Sequence, residues 1–279
     1  MLNNPYGKTV IVTGASSGIG KCAAETLASL GFTVYGGSRR GGPSKAIGEG
    51  MVKSLTLDVT SEDSVKAAVG EVLDSEGGID ILINCAGTGI AGAVEDCSGA
   101  DALEQMDTNY AGVIRMAGAV LPAMRARKKG LIINIGSVGG IYSIPFQTLY
   151  SSSKAAVEAL TEGLRIELKP WGVKAALVEP GDVKTGFTAA RKYASGCKNS
   201  KSVYGEEFAH SIGQMEKDEQ GGAGPETVVK VILQLIRMKN PPVRKVVGAQ
   251  YKLFVFLKRI FPACLVEAIL TGMYPKSKA

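Results

Sequence analysis

The stretch Lys8-Thr-Val-Ile-Val-Thr13-Gly14-Ala-Ser-Ser-Gly18-Ile-Gly20 lies near the start of the chain and predicts its fold. Its first part is an apolar run typical of a buried strand, and a helical pattern follows from Lys21 to Leu30. A strand, a glycine-rich turn and a helix in this order present free backbone N–H groups to a phosphate at the positive end of the helix. The sequence therefore predicts a nucleotide-binding turn, in which the candidate contacts are Gly14, Ser16, Ser17, Gly18, Ile19 and Gly20.

The spacing of these glycines is G-x-x-x-G-x-G, which differs from the commoner G-x-G-x-x-G fingerprint. The turn is not a P-loop either, because no G-K-[ST] follows it. The alternative, a flexible loop in a chain with 36 glycines, is disfavoured because a strand leads into the turn and a helix leads out of it.

A second predicted strand, from Phe32 to Gly37, ends at Ser38-Arg39-Arg40. In dinucleotide-binding folds the residue at this strand end meets the adenosine ribose, and an acidic side chain there bonds the 2′-hydroxyl. Ser38 occupies the position instead, and the planar guanidinium of Arg39 can bind a 2′-phosphate. We therefore predict that NADP(H) is preferred over NAD(H). The alternative is a solvated basic loop, which the following Gly41, Gly42 and Pro43 favour for Arg40 in particular.

Tyr150 and Lys154 stand one turn apart on a helix predicted from Ser151 to Lys169, which Pro170 ends. Side chains at i and i+4 share a helix face, so both can point into one pocket. A positive charge about 4 Å away, at an effective dielectric of about 20, favours the phenolate by about 4 kcal/mol. We therefore predict that Lys154 lowers the Tyr150 pKa from about 10 toward 7, where a Tyr is a usable general acid and base. The alternative is an ordinary surface pair on an amphipathic helix.

Further motifs follow the glycine-rich turn in order along the chain. Together with the turn, they make residues Thr13 to Thr185 resemble the short-chain dehydrogenase/reductase family. The segments that carry the resemblance are Thr13-Gly-Ala-Ser-Ser-Gly-Ile-Gly20, Asp58-Val59, Asn84-Cys-Ala-Gly87, Asn109-Tyr-Ala-Gly112, Ser137, Tyr150-Ser-Ser-Ser-Lys154 and Pro180-Gly181 with Val183 and Thr185. The resemblance implies an α/β fold with a single Rossmann-like domain, a doubly wound parallel sheet with helices on both faces. Strands and helices that alternate from Lys8 to about Val247 favour the same architecture.

The resemblance also implies the roles of the catalytic residues. Ser137 would hold the substrate oxygen and Tyr150 would pass the proton. Lys154 would bond the nicotinamide ribose and lower the Tyr150 pKa, and Asn109 would complete a proton relay through water. The cofactor would supply the hydride while the protein positions it.

Cofactor contacts outside the glycine-rich turn are likewise implied by the resemblance. Asp58 and Val59 would meet the adenine, and the loop after Pro180 would hold the nicotinamide carboxamide. The complete set of implied contacts beyond the turn is Ser38, Arg39, Asp58, Val59, Asn84, Ala86, Gly87, Tyr150, Lys154, Pro180, Gly181, Val183 and Thr185. One departure bears on the cofactor: Ser17 stands where NADP-preferring relatives often carry a basic residue, so the NADP(H) prediction depends on Arg39.

Length and composition agree with one domain of 279 residues. The five cysteines are scattered and no C-x-x-C occurs, which argues against a disulfide framework and against a metal site. The net charge of +6 is spread along the chain, so we predict no nucleic-acid partner. No charged and then apolar leader precedes the first strand, so we expect no signal peptide and a cytoplasmic protein.

Two segments near the end are predicted to shape the substrate site. Residues 186–224 are polar and irregular, with helical patches at Thr188–Tyr193 and Glu206–Met215, and we interpret them as a substrate lid. A disordered surface loop is the alternative. Residues 249–279 form an apolar tail that Pro262 and Glu267 interrupt. This tail could cover a hydrophobic pocket, build an oligomer interface or lie on a membrane surface, besides ordinary core packing.

We predict an enzyme, an NADP(H)-dependent oxidoreductase that interconverts a carbonyl and an alcohol on a lipophilic small molecule such as a steroid or a retinoid. The apolar tail is similar to that of the hydroxysteroid and retinol dehydrogenase-like branch of the family, which would imply a lipophilic alcohol or ketone. Two alternatives stay open: a ketoacyl-thioester reductase of lipid synthesis, and a non-catalytic NADP(H)-sensing protein. Relatives are commonly oligomers, so we expect a homodimer or a homotetramer.

Overall fold

The computed structural model describes residues 4–198 and 202–273, arranged as one α/β domain. Ten strands are present in these residues: β1 (Thr9–Thr13), β2 (Thr33–Ser38), β3 (Lys45–Ile47), β4 (Gly50–Thr56), β5 (Ile81–Asn84), β6 (Ile90–Ala91), β7 (Gly130–Ile135), β8 (Val173–Glu179), β9 (Lys192–Tyr193) and β10 (Arg244–Val246). The α-helices of the same residues are α1 (Gly18–Ser29), α2 (Glu62–Glu76), α3 (Gly99–Met106), α4 (Gly112–Ala126), α5 (Val138–Ile141), α6 (Thr148–Glu167), α7 (Gly205–Gly221), α8 (Pro225–Arg237), α9 (Ala249–Ile260) and α10 (Ala263–Met273).

Eight strands form the main sheet in the order β10-β8-β7-β5-β1-β2-β4-β3, and all pairs except β3–β4 are parallel. The chain starts at the centre with β1, runs outward to β4 and then crosses back to β5. The strand order therefore reverses between β1 and β5, and ligands bind beside the carboxyl ends of the strands at such a switch point.

Helices cover both faces of the sheet, as the alternation of strands and helices predicts. On one face α1 and α8 pack against the central strands through Leu27 and Ile232. On the other face α2, α4 and α6 do so through residues such as Val69, Met116 and Leu164. The near-continuous burial of β1, β5 and β7 follows from this double cover, since both faces of a parallel strand lie in the core.

Two short strands, β3 and β9, were not predicted from the sequence. Residues 40–50 contain β3, which pairs antiparallel with β4 at the sheet edge. The helical patch predicted at Thr188–Tyr193 is wrong, because residues 186–190 form turns and Lys192 and Tyr193 form β9. The backbone N–H of Lys192 donates to Gly89 (2.9 Å), and this bond to a distant segment replaces a helical one.

The segments predicted as lid and tail are only partly within the described residues. Of the lid, α7 contributes Ile212 and Met215 to a small apolar cluster with Ala91. Residues 199–201 of the lid and 274–279 of the tail lie outside the described residues. The rest of the tail forms α9 and α10, which Pro262 separates. The role of residues 186–224 as a lid stays a prediction.

Candidate active site

The glycine-rich turn forms the start of a cavity of about 810 Å³ at the carboxyl ends of the strands. Gly14 and Gly18 have φ of +68° and +53°, a backbone conformation that side chains disfavour. A Cβ on Gly20 would lie 2.4 Å from the Gly14 carbonyl oxygen, so the turn closes this tightly only with glycine. No side chain caps the start of α1 with a hydrogen bond, which leaves its first N–H groups available to a phosphate.

Thr13 joins this turn to the end of β5. Its hydroxyl accepts hydrogen bonds from the backbone N–H groups of Cys85 (3.0 Å) and Ala86 (2.9 Å). A Cβ on Gly14 would meet Ala86 at 2.9 Å, so the two loops are in close contact. These bonds hold the two loops that frame the predicted pyrophosphate site, and no sequence motif identified Thr13 as their link.

The adenosine end of the cavity is lined by Ser38, Arg39 and Asp58. The Asp58 carboxylate accepts hydrogen bonds from the backbone N–H (3.0 Å) and the hydroxyl (2.7 Å) of Thr60. These bonds, and more weakly the nearby Arg39 charge, hold the Asp58 pKa below its ordinary value. Arg39 is exposed, so its guanidinium is accessible to a ligand in the cavity.

Ser137, Tyr150 and Lys154 converge in the middle of the cavity. Ser137 caps α5, and its hydroxyl accepts a hydrogen bond from the Gly139 N–H (3.0 Å). Tyr150 lies in the first turn of α6, and its hydroxyl is hydrogen-bonded to the Ser137 side chain. The Lys154 ammonium lies 5.7 Å from the centre of the Tyr150 ring and donates to the Ile135 carbonyl oxygen (2.8 Å). The i, i+4 spacing therefore places both side chains in one pocket.

The predicted lowering of the Tyr150 pKa is wrong for this structure. Burial raises the pKa of Tyr150 to about 12, and the Ser137 hydrogen bond offsets only part of this effect. Burial also lowers the pKa of Lys154 to about 8. The attraction between the two groups favours their charged forms, but removing both from water disfavours these forms, and here desolvation is the larger effect. Tyr150 is therefore protonated at neutral pH and is ready to donate a proton.

All predicted site residues except Asn84 and Asn109 line this cavity. The buried Asn84 side chain donates instead to Asn134 (2.9 Å), which connects β5 to β7. Asn109 lies in a π-helical turn between α3 and α4, and its amide group bonds the Thr88 backbone and the Ser153 hydroxyl. Asn109 thereby holds the loop after β5, and the proposed relay through it stays a prediction.

Several pocket residues were not predicted from the sequence. The Phe187 ring lies 5.5 Å from the Tyr150 ring and narrows the approach to it. The buried Arg191 forms an ion pair with Glu219 of α7, and Glu219 lines the cavity. Tyr251 of α9 lies over Gly181, where an added Cβ would lie 2.1 Å from the ring, and its hydroxyl donates to Asp182 (2.6 Å). These contacts join distant segments, so no local pattern marks them.

The far end of the cavity is built by the C-terminal helices and is apolar except for Lys258, whose ammonium donates to the Ile141 carbonyl oxygen. Its lining there comprises Phe254, Leu257, Phe261, Val266, Ile269 and Leu270. The site thus places a phosphate-binding turn at one end, a protonated phenol in the middle and a hydrocarbon surface at the other end. Such a cavity can hold a dinucleotide and a lipophilic substrate side by side.

Comparison with known proteins identifies the class to which this fold and this site belong. The family model described as short chain dehydrogenase matches residues 8–195. The chain belongs to this short-chain dehydrogenase/reductase family, whose members are NAD(P)-dependent oxidoreductases. The resemblance predicted from the motifs is therefore confirmed.

Individual relatives extend over nearly the whole chain. A 3-ketodihydrosphingosine reductase of Bacteroides thetaiotaomicron is 41% identical over 266 residues, which are 95% of this chain and 97% of that protein. Retinol dehydrogenase 8 of Bos taurus is 31% identical over 280 residues, covering 92% of this chain and 86% of that protein.

Solved structures show the same fold. A short-chain dehydrogenase of Burkholderia cenocepacia in complex with NADP has a TM-score of 0.72 at 25% identity, covering 96% of this chain and 97% of that one. One of Burkholderia phymatum in complex with NAD has a TM-score of 0.78 at 24% identity, covering 100% of this chain and 99% of that one. The single Rossmann-like α/β fold is thereby confirmed. One of these two structures contains NADP and the other contains NAD, so they do not establish which cofactor this chain prefers.

Proposed function

We propose that this protein is an NADPH-dependent reductase of a lipophilic ketone. The proposal rests on the Tyr150 hydroxyl, which burial keeps protonated and which is hydrogen-bonded to Ser137. This hydroxyl lies in a cavity whose far wall is mostly apolar. A protonated phenol is the form that reduction needs, because the carbonyl oxygen gains a proton as the carbon gains a hydride. Oxidation of the alcohol needs the phenolate, which burial of Tyr150 disfavours.

In the proposed mechanism, the hydroxyls of Ser137 and Tyr150 hold the carbonyl oxygen of the substrate. Bound NADPH would supply the hydride to the carbonyl carbon. Tyr150 then gives its proton to the oxygen, and the alcohol forms. The phenolate regains a proton from solvent through the water relay proposed for Asn109. Lys154 also positions the nicotinamide ribose, and the buried Ile135 carbonyl fixes the orientation of its ammonium group.

The preference for NADPH is supported by Arg39 at the adenosine end and by the absence of an acidic side chain at Ser38, where β2 ends. Asp58, at the neighbouring strand end, has its carboxylate engaged by Thr60. A 2′-phosphate at this end would therefore meet an accessible guanidinium and would face only a carboxylate that already accepts hydrogen bonds.

Arg39→Ala is expected to weaken NADPH binding about 10- to 100-fold, because a hydrogen-bonded charge pair with the phosphate is lost. NADH binding should change less than about twofold, since NADH has no 2′-phosphate. Arg40→Ala is the matched control, because Arg40 is a neighbouring basic residue outside the cavity lining. Fluorescence titration of both cofactors measures the effect. Equal losses for NADPH and NADH would contradict the proposed preference.

We propose a long-chain amino ketone of the 3-ketodihydrosphingosine type as the substrate class. The support is the 41% identity with a 3-ketodihydrosphingosine reductase over almost the whole chain, together with the apolar wall built by α9 and α10. Steroid and retinoid carbonyls remain candidates, because a retinol dehydrogenase is also among the relatives. The ketoacyl-thioester alternative has no specific contact in its favour, and the converging Ser137, Tyr150 and Lys154 disfavour a non-catalytic sensor.

NADPH oxidation with a panel of carbonyl compounds tests this assignment. The panel holds 3-ketodihydrosphingosine in detergent, a steroid ketone, retinal and a short-chain ketoacyl thioester. We expect the highest kcat/KM with 3-ketodihydrosphingosine. A higher value with the thioester would favour the alternative enzyme, and tight NADPH binding without oxidation by any compound would favour the sensor.

A homodimer or homotetramer in the cytoplasm remains our proposal for the assembled protein. It is supported by Ile114 on α4 and Ile166 on α6, two large apolar side chains that are exposed on the helices of one face of the sheet.

A further inference from the structure

Exposed apolar side chains are concentrated on the two C-terminal helices. In the part of the chain that the structure describes, seven of the sixteen exposed large hydrophobic residues lie there, namely Leu253, Phe254, Phe256, Ile260, Leu265, Ile269 and Met273. Helix α10 contains no buried residue at all. A contiguous apolar patch of this kind marks an interaction surface, whereas single exposed hydrophobic residues need no explanation.

Helix α9 has two different apolar faces. One face carries Phe254, Leu257 and Phe261, which line the cavity. The other carries Leu253, Phe256 and Ile260 at positions i, i+3 and i+7, which are exposed and lie outside the cavity lining. The helix therefore lines the substrate site with one face and presents the other outward.

Basic residues flank the outward face. Lys252 and Arg259 stand seven residues apart, both exposed, on the side of α9 next to Phe256. From residue 249 to residue 279 the sequence holds five basic residues and one acidic residue, Glu267. An apolar face with a basic border is typical of helices that lie in the interface of an anionic membrane.

The cavity opens at this same surface. Ile269 and Met273 of α10 line the cavity, yet their side chains are 47% and 49% exposed. The hydrocarbon wall of the substrate site is therefore continuous with the exposed patch. A lipid whose chain lies in a bilayer pressed against α10 would reach the cavity without crossing water.

We propose that α9 and α10 are the docking surface for an anionic lipid bilayer, with Leu253, Phe256 and Ile260 inserted and Lys252 and Arg259 at the headgroups. No helix in residues 4–198 and 202–273 is long and apolar enough to cross a bilayer. At a rise of about 1.5 Å per residue, α9 and α10 are each under about 20 Å long and would lie in the plane of the interface. Transfer of the substrate from the bilayer rests on the proposed function, whereas docking itself does not.

A second copy of the chain is a less suitable occupant of this patch. In a two-fold dimer the same surface would meet itself, so Lys252 and Arg259 of both copies would lie in one interface. Such a contact would also cover Ile269 and Met273 at the opening of the cavity. A bilayer instead complements the charge and leaves the lipid a direct entry.

Co-sedimentation with vesicles tests the docking surface. The full-length protein is expected to bind vesicles of phosphatidylcholine and phosphatidylglycerol, and to bind pure phosphatidylcholine far less. Phe256→Glu should weaken binding to anionic vesicles at least about tenfold, because an inserted aromatic ring is lost. Lys252→Gln combined with Arg259→Gln should weaken it about 30-fold at low salt.

Leu103→Glu is the matched control, because Leu103 is an exposed apolar residue on α3, at 73% exposure against 59% for Phe256. It should leave vesicle binding unchanged. NADPH oxidation with a water-soluble ketone should be unaltered in every variant, which shows that the fold and the active site are intact. A failure of the proposed substrate assignment would thus be visible separately from a failure of docking.

Two results would overturn the proposal. One is equal binding of the wild type and Phe256→Glu to anionic vesicles, or no binding by the wild type. The other is a change from a larger to a smaller oligomer in Phe256→Glu, measured by light scattering, without vesicle binding by either protein. The second result would assign the patch to a second copy of the chain.

Discussion

Tyr150→Phe is expected to lower kcat for ketone reduction about 10³-fold, which is within the usual contribution of a general acid. The substitution removes the only proton that the Tyr150 ring can give and keeps its contacts with Phe187 and Lys154. NADPH affinity should stay within about twofold, because the phenyl ring keeps its place in the cavity. Steady-state NADPH oxidation and fluorescence titration measure the two quantities separately.

Tyr142→Phe is the matched control for this substitution. Tyr142 lines the same cavity, but its hydroxyl donates to the Phe254 carbonyl oxygen and not to Ser137. Its loss should change kcat less than about threefold, since no general acid is removed. Full turnover by Tyr150→Phe would refute the proposed proton donor, as would an equal loss in both variants.

Lys154→Met is expected to lower kcat/KM about 10²- to 10³-fold and to weaken NADPH binding. It removes the buried ammonium that lies beside the Tyr150 ring and that the Ile135 carbonyl positions. The stability of the fold should not fall at pH 7. Because burial lowers the Lys154 pKa, the fold disfavours the charged form, and Met avoids this cost.

The pH dependence of the wild type tests the same residue. Lys154 is charged below its pKa of about 8 and neutral above it, so kcat/KM for reduction should be flat near neutrality and should fall as pH rises through about 8. The Tyr150 pKa of about 12 lies beyond this limb, so a fall near pH 8 would not come from Tyr150. The folded-state pKa is below the ordinary value of 10.5, so stability should rise with pH between about 8 and 10.5.

Lys169→Met, two residues after the end of α6, is the control, since Lys169 is exposed and lies outside the cavity lining. It should keep both the rate and the pH profile of the wild type. A pH profile that stays flat to pH 10 in the wild type would contradict a role for the Lys154 charge, as would an unchanged rate in Lys154→Met.

The features that depend on a short stretch of neighbouring residues were predicted correctly from the sequence. The strand, turn and helix around Gly14 follow from an apolar run, glycines and helical periodicity, all within a short stretch. The common pocket of Tyr150 and Lys154 follows from the i, i+4 geometry of α6. The doubly wound parallel sheet followed from the family resemblance and from the alternation of strands and helices, whereas the order of the strands was not predicted, because single-sequence periodicity does not specify which strands are neighbours.

Other features depend on contacts between distant segments and therefore have no local signal. The strands β3 and β9 exist because a partner strand is adjacent to them, not because their own residues favour a strand. Phe187 and Tyr251 enter the site through the folding of the lid segment and α9. The upward shift of the Tyr150 pKa was not predicted for the same reason, since these surrounding elements determine how deeply Tyr150 is buried.

Deuterium transfer within the reductase reaction tests the central claim most directly. The wild type is incubated with 3-ketodihydrosphingosine and NADPH that carries deuterium at the transferable position of the nicotinamide, and the product is analysed by mass spectrometry. We predict one deuterium on the new carbinol carbon in the wild type and in Tyr142→Phe, and about 10³-fold slower labelling in Tyr150→Phe. Product without deuterium, or labelling by Tyr150→Phe at the wild-type rate, would contradict hydride transfer assisted by the Tyr150 proton.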